Sequence, residues 1–420
     1  MRVADGSSFT LTSEDTVSFV ARLELRRNSA DRTRSLLLRL LQGCGLLAFT
    51  LIFGEAFVRI LCPQPVMPRY VTATDWGVRG NIPRAHYWHY TPEVSVEYRI
   101  NGQGMRADHD YPLRKPAGTC RVAVFGDSLL MGYEVDLRDS FSARLEEMLH
   151  AGGRSVEVLN FAVSGFGTAE MLRTYEAFAR GFDPDVVLFS WHLTDMEDNV
   201  RSALYRLRDG KLENANRSYL PGVKTQDFLM RFAAYRLIAD HSQLYALLRE
   251  RLGQFTKHLF VQLRQQAVSA KQTATENAEE DEEDARYAAH RQANRDLSSA
   301  IVEHAAQVVA ADGREFYLIE VPIRVSRVAF RTSVDVLSPE VISHIRIISP
   351  LATFEQAARP DFKVYYEHGE GHLTPSGVQL LAKEAAQILV RSPRFAACTV
   401  GLAGATGQSS PDPASPVHPR

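Results

Sequence analysis

An α/β fold built on a parallel sheet with helices on both faces is predicted by three features of the sequence. Short apolar runs recur that suit strands buried on both sides, helical patterns lie between them, and polar, chemistry-bearing residues follow the runs directly. The first run, Val122 to Phe125, ends at Gly126. Phe141, Leu145 and Met148 then recur at helical spacing. Val156 to Leu159 reads as the second strand, Met171 to Phe178 as a helix, Val186 to Phe189 as the third strand and Phe316 to Val321 as another. Thr374 and Pro375 form a helix start, with Thr at the N-cap and Pro at the first helical position, ahead of Val378, Leu381, Ala385 and Leu389. His372 therefore sits in the loop feeding the last helix.

The 420 residues are 45% hydrophobic, enough to bury a substantial core. The formal net charge of −2 is spread over interspersed positive and negative residues, which gives no footing for nucleic-acid binding or a polybasic lipid surface. Cys44, Cys62, Cys120 and Cys398 lie far apart and form no CxxC pair, so neither a metal site nor a redox motif is expected, and no cofactor is implied. Cys120 and Cys398 are a candidate pair if the soluble part lies in an oxidising compartment, but spacing alone does not decide it.

From Leu40 to Leu61 the chain carries only Glu55 and Arg59 as charges, both near the end, and the stretch from Leu40 to Gly54 has no polar stripe to face water. A helix of that length rises roughly 33 Å, enough to cross a hydrocarbon core about 30 Å thick. Glu55 and Arg59 are four residues apart and share a helix face. Arg26, Arg27, Arg32, Arg34 and Arg39 crowd the N-terminal flank, against Arg59 and Arg69 beyond the span, so the C-terminal part is expected outside. Arginine greatly outnumbers lysine, which suggests a bacterial genome of high GC content and hence a single-pass inner-membrane protein with its large domain in the periplasm. The expected division is a cytoplasmic segment over 1–35, a transmembrane helix over 36–61, a β-containing lead-in over 62–118, a catalytic domain over 119–398 with a mostly helical insertion at about 200–305, and a disordered Gly/Ser/Pro-rich tail over 399–420. In the lead-in, Val94, Val96, Tyr98 and Ile100 alternate with polar residues as a half-buried strand does. The acidic run from Glu279 to Asp284 reads as a solvated loop or helix face.

In an open parallel sheet, ligands bind beyond the carboxyl ends of the strands. Those positions hold Gly126-Asp127-Ser128, the stretch from Asn160 to Thr168, Thr194-Asp195 and, before the last helix, Glu370-Gly371-His372. A serine hydroxyl needs a base, a group that orients the base, and donors for the developing oxyanion. Ser128 is the candidate nucleophile, His372 the base and Glu370 the orienting acid, with Glu367 in reserve. The backbone N–H groups of Ser128 and Gly165 are candidate oxyanion donors, with Thr194 as a third.

With these blocks in view, the sequence resembles the SGNH, or GDSL, hydrolase superfamily, in particular bacterial members with an N-terminal membrane helix, over roughly residues 36 to 390. The resemblance rests on GDS at Ser128, on NFAVSGFGT around Gly165 and on EGH ending at His372. Asn101, Gly104 and Arg106 in INGQGMR, and Glu55 with Arg59, also match the anchored members. It implies a flavodoxin-like sheet, no metal, and ester or acyl-group chemistry. Two positions depart from the pattern: Thr194 stands where the family has Asn, and Glu370 where the final block carries Asp. The expected function is an anchored serine esterase or acyl-transfer enzyme acting on an acylated small molecule or on envelope material, with O-acetylated polysaccharide as one specific form. A polysaccharide O-acyltransferase and a catalytically degenerate binding or scaffold protein are the alternatives.

Overall fold

The computed structural model describes residues 13–66, 69–151, 153–269, 281–368 and 371–400. The chain divides into two units, Met1–Cys62 and Pro63–Arg420. The first contains one long helix, Ser13–Leu61, whose segment Arg34–Leu61 has a mean hydropathy of 2.0 and is long and apolar enough to cross a membrane. Within it, Arg59 Nε donates to Glu55 Oε1 at 2.6 Å, as the four-residue spacing predicts.

The second unit is built on a five-stranded, wholly parallel sheet. Its strands are β1 (Cys120–Phe125), β2 (Val156–Asn160), β3 (Val186–Trp191), β4 (Glu315–Glu320) and β5 (Ile347–Ile348), in the spatial order β5-β4-β3-β1-β2. This is the flavodoxin-like order, in which the chain reverses its direction of winding between β1 and β3 and opens a crevice at their carboxyl ends. Val122 pairs with Val158 on one side and with Val186 on the other, and Phe125 pairs with Phe189. Every residue of β1 and β3 is buried, because helices cover both faces of the sheet. On one face, Leu145 and Leu149 of helix Phe141–His150 pack with Leu381 and Ala385 of helix Pro375–Leu389. On the other, Met171, Leu172 and Tyr175 of helix Thr168–Ala177 pack with Ile301, Val302 and Val309 of helix Asp281–Ala311.

The lead-in strand predicted around Val94–Ile100 is Ser95–Arg99, paired antiparallel with His86–Tyr90, and a second ribbon joins Val71–Ala73 to Arg79–Asn81. The region expected to be mostly helical over 200–305 begins within helix Thr194–Ser202 and also carries a hairpin, Tyr205–Arg208 against Lys211–Asn214, which turns at Asp209 and Gly210, both at positive φ. It is followed by helices Val223–Leu229, Ala233–His241 and Gln243–Ser269. Position 305 falls inside Asp281–Ala311, whose C-terminal half is the buried crossover from β3 to β4. Cys120 and Cys398 form a disulfide that ties the start of β1 to helix Pro393–Val400, 278 residues on. The tail from 401 onward, and Glu279 and Glu280 of the acidic run, lie outside the described residues.

Candidate active site

β1 ends in a tight strand-to-helix turn. A Cβ at Gly126 would stand 2.6 Å from Leu130 Cβ and 2.7 Å from Ser190 Oγ, so only glycine lets the chain pass between the two. Asp127 caps the short helix Ser128–Met131 by accepting from the Leu129 N–H at 2.9 Å. Burial is the main reason its carboxyl is pushed up to about 6. Ser128, at the first position of this helix, stays partly exposed while Leu129, Leu130 and Met131 are buried.

His372 approaches from the other end of the chain. Its N-terminal neighbour Gly371 has φ +75°, a left-handed conformation that suits glycine, and the His372 carbonyl accepts from the Tyr366 N–H at 2.9 Å. Two residues later Thr374 caps helix Pro375–Leu389 by accepting from the Gly377 N–H at 3.1 Å, the helix start predicted above. The imidazole is thereby held with Nε2 at 2.8 Å from Ser128 Oγ. That is within reach for taking the hydroxyl proton.

The other ring nitrogen meets an acid that the sequence reading missed. His372 Nδ1 lies 3.1 Å from Glu134 Oε2, and the same oxygen accepts from the His372 backbone N–H at 3.2 Å. The Glu134 side chain is fully buried. Glu370, the expected orienting acid, lies outside the described residues. The reserve candidate Glu367 is engaged elsewhere, in ion pairs with Arg327 and Lys363. Glu134 left a trace in the sequence, as the one charged residue in SLLMGYEV, between Ser128 and Val135. An acid inside an apolar run calls for a buried partner.

The lead-in segment braces this acid. Arg106, itself buried, donates to the carbonyls of Met131 (2.8 Å), Gly132 and Val135, and its guanidinium lies 4.1 Å from the centre of the Tyr98 ring. The loop that carries Tyr133 and Glu134 is thus clamped at both ends. Tyr133 packs its ring 4.9 Å from that of His372 and 4.5 Å from that of buried His89. Asn101 acts locally instead, closing its own turn through the N–H groups of Gln103 and Met105 and the carbonyl of His109.

A partly exposed serine, a histidine within reach of its oxygen and a buried carboxylate on the far ring nitrogen form one connected chain. The protein is similar to solved lipolytic proteins of the G-D-S-L family. One, from Desulfitobacterium hafniense DCB-2, is 10% identical with a TM-score of 0.31, over 64% of this chain and 98% of the other. Another, from Veillonella parvula DSM 2008, is 12% identical with a TM-score of 0.32, over 65% and 100%. A catalytic mutant of an acetylxylan esterase from Geobacillus stearothermophilus is 10% identical with a TM-score of 0.33, over 65% and 94%. No family model and no curated protein matches the sequence. The functional reading therefore rests on the geometry of the site itself.

The remaining candidates lie around the carboxyl ends of β2 and β3. Asn160, at the end of β2, donates to Leu130 O and Ser142 Oγ and accepts from the Ala162 N–H, which fixes the loop leading to Gly165. Gly165 adopts φ +75°, and its carbonyl accepts from Arg79 at 2.8 Å and from Arg201 at 3.3 Å. Beneath this loop lies buried Glu170, which accepts from the Gly167 N–H; burial pushes its carboxyl up to about 8 against the pull of Arg79. Thr194 is exposed and opens helix Thr194–Ser202, and its hydroxyl lies 3.0 Å from Nδ1 of His192. The Asp195 carboxylate accepts from the His192 N–H at 2.7 Å, and burial raises its pKa well above the usual range.

Proposed function

We propose that this protein is a membrane-anchored serine esterase or acyl-transfer enzyme of the SGNH type that acts on ester-linked acyl groups of envelope or extracellular material, O-acetylated polysaccharide among them. The observation that carries the reading is the 2.8 Å contact between Ser128 Oγ and His372 Nε2, with Glu134 on the opposite ring nitrogen. In this reading His372 takes the Ser128 proton as the oxygen adds to the acyl carbon, and Glu134 holds the Nδ1–H tautomer and stabilises the imidazolium. His372 then protonates the departing alcohol. The acyl group remains on Ser128 until water or a sugar hydroxyl, deprotonated by the same histidine, removes it. The backbone N–H groups of Ser128 and Gly165 are proposed as oxyanion donors.

Anchoring through Arg34–Leu61, with the catalytic unit in the periplasm, is part of the same proposal. The length and hydropathy of that segment, its arginine-rich N-terminal flank and the Cys120–Cys398 disulfide support it. The test is acetate release from acetylated polysaccharide and from an aryl acetate by the full-length protein in detergent. Wild-type turnover that Ser128→Ala abolishes supports hydrolysis. Acetylation of an added polysaccharide without net hydrolysis supports transfer, and equal behaviour of wild type and Ser128→Ala in both assays removes the reading. For the anchor, retention in membranes through an alkaline wash with release by detergent is expected; release by the wash alone contradicts it.

A further inference from the structure

The Asn that the resemblance leads one to expect at position 194 is a threonine, and a histidine, His192, stands two residues earlier. β1 and β3 are adjacent and parallel, and Phe125 is in register with Phe189. Ser128 opens the helix that follows β1, and His192 is the first residue beyond β3, so both follow the carboxyl ends of neighbouring parallel strands at the same edge of the sheet. His192 is held there from both ends: its backbone N–H donates to Asp195 Oδ2, and its ring is anchored at Nδ1.

The anchoring favours one tautomer. Thr194 presents its hydroxyl to His192 Nδ1 at 3.0 Å and its backbone N–H to the same nitrogen at 3.5 Å. A backbone N–H only donates, so the Thr194 amide favours the tautomer in which Nδ1 accepts and the ring proton resides on Nε2. Burial foremost, and the neighbouring charge of His372 next, lower the His192 pKa to about 4, so the ring stays neutral while His372 cycles through its protonated form. A neutral imidazole N–H can polarise a carbonyl in place of an amide.

We propose that the Nε2–H of His192 donates a hydrogen bond to the oxyanion formed when Ser128 adds to the ester carbonyl, in place of the missing side-chain amide, and that Thr194 acts through His192 by fixing its tautomer. The inference rests on the esterase reading above. As the Ser128 oxygen bonds to the acyl carbon, the carbonyl π pair moves onto oxygen and the serine proton passes to His372; His192 gives up no proton. When the intermediate collapses, that pair re-forms the carbonyl and the alkoxide leaves with the proton from His372.

Aryl acetate kinetics on the full-length protein in detergent test this with wild type, His192→Ala, His192→Gln and Thr194→Val. His192→Ala is expected to lower kcat by about 100- to 1000-fold, the range for loss of one oxyanion donor, with KM within about 3-fold of wild type. His192→Gln, which places an amide N–H near the lost Nε2–H, is expected to recover at least about 10-fold of that loss. Thr194→Val is expected to fall between wild type and His192→Ala. A kcat for His192→Ala within about 3-fold of wild type overturns the assignment, as does a loss that His192→Gln fails to recover while all four proteins share one melting temperature. A wild type with no turnover and no fluorophosphonate labelling of Ser128 fails earlier, at the esterase reading, and the assignment falls with it.

Discussion

Glu134 Oε2 stands 3.1 Å from His372 Nδ1, although 238 residues separate the two in sequence and only six separate Glu134 from Ser128. The acid thus comes from the nucleophile's own side of the site, from the loop just after helix Ser128–Met131. Glu134→Gln keeps the shape and removes the charge that stabilises the imidazolium. It is expected to lower kcat by about 100-fold or more, by analogy with loss of the orienting acid in other triads. Glu367→Ala and Glu370→Ala are expected to stay within about 3-fold of wild type, and a parallel kinetic series on the three variants checks the ranking.

Arg106 supports that geometry at a distance from the chemistry. Its guanidinium, itself buried, donates to three carbonyls around Tyr133 and Glu134. Each carbonyl left unpaired costs about 1–3 kcal/mol. Gly132 O keeps the Tyr98 hydroxyl as a donor, so Arg106→Leu, which orphans the other two, is expected to lose on the order of 2 kcal/mol or more in urea unfolding, together with much of the activity. Substitution of Arg138, which is 83% exposed, is expected to change stability by less than about 0.5 kcal/mol in the same measurement.

The disulfide closes most of the catalytic unit into one loop. Cys120 is fully buried at the head of β1, and Cys398 belongs to helix Pro393–Val400. Reduction, or Cys398→Ser, is expected to lower stability by about 2–5 kcal/mol, read as a lower urea midpoint in dithiothreitol. An unchanged midpoint contradicts a structural role for the bond.

Acid destabilisation has a named source in His89. The ring is buried between Tyr133 and Tyr98, and burial lowers its pKa from 6.5 to about 4. Because the unfolded chain takes up that proton near pH 6.5 and the folded one only near pH 4, stability falls as the pH drops through this window and is unaffected above it. The displacement corresponds to about 3 kcal/mol when complete. His89→Leu is expected to flatten the loss of stability between pH 6.5 and 4, followed by thermal unfolding across that range; an unaltered slope assigns the effect to other groups.

Much of the scaffold was legible in the sequence because buried parallel strands are short apolar runs with little else to imitate them. Val122–Phe125, Val156–Leu159 and Val186–Phe189 all fall inside observed strands. The two-residue strand Ile347–Ile348 carries no pattern of its own and exists only because β4 offers a free edge. The hairpin at 205–214 was hidden because YRLRDGKLEN is mostly polar, and its Asp-Gly turn was the only signal. At the site, Ser128 and His372 stood out because each occupies a strand or helix end. Glu134 did not, since its meaning depends on a contact made across 238 residues, and neither did His192, whose place is set by strand register rather than by a motif.

Activation of the Ser128 hydroxyl by His372 underlies all of the proposed chemistry. The most direct measurement is labelling of the full-length protein by a fluorophosphonate probe, with the modified residue located by mass spectrometry. Rapid labelling at Ser128 is expected, reduced by about 100-fold or more in His372→Ala without loss of the folded state. No labelling of the folded wild type, or labelling indifferent to His372, would contradict it.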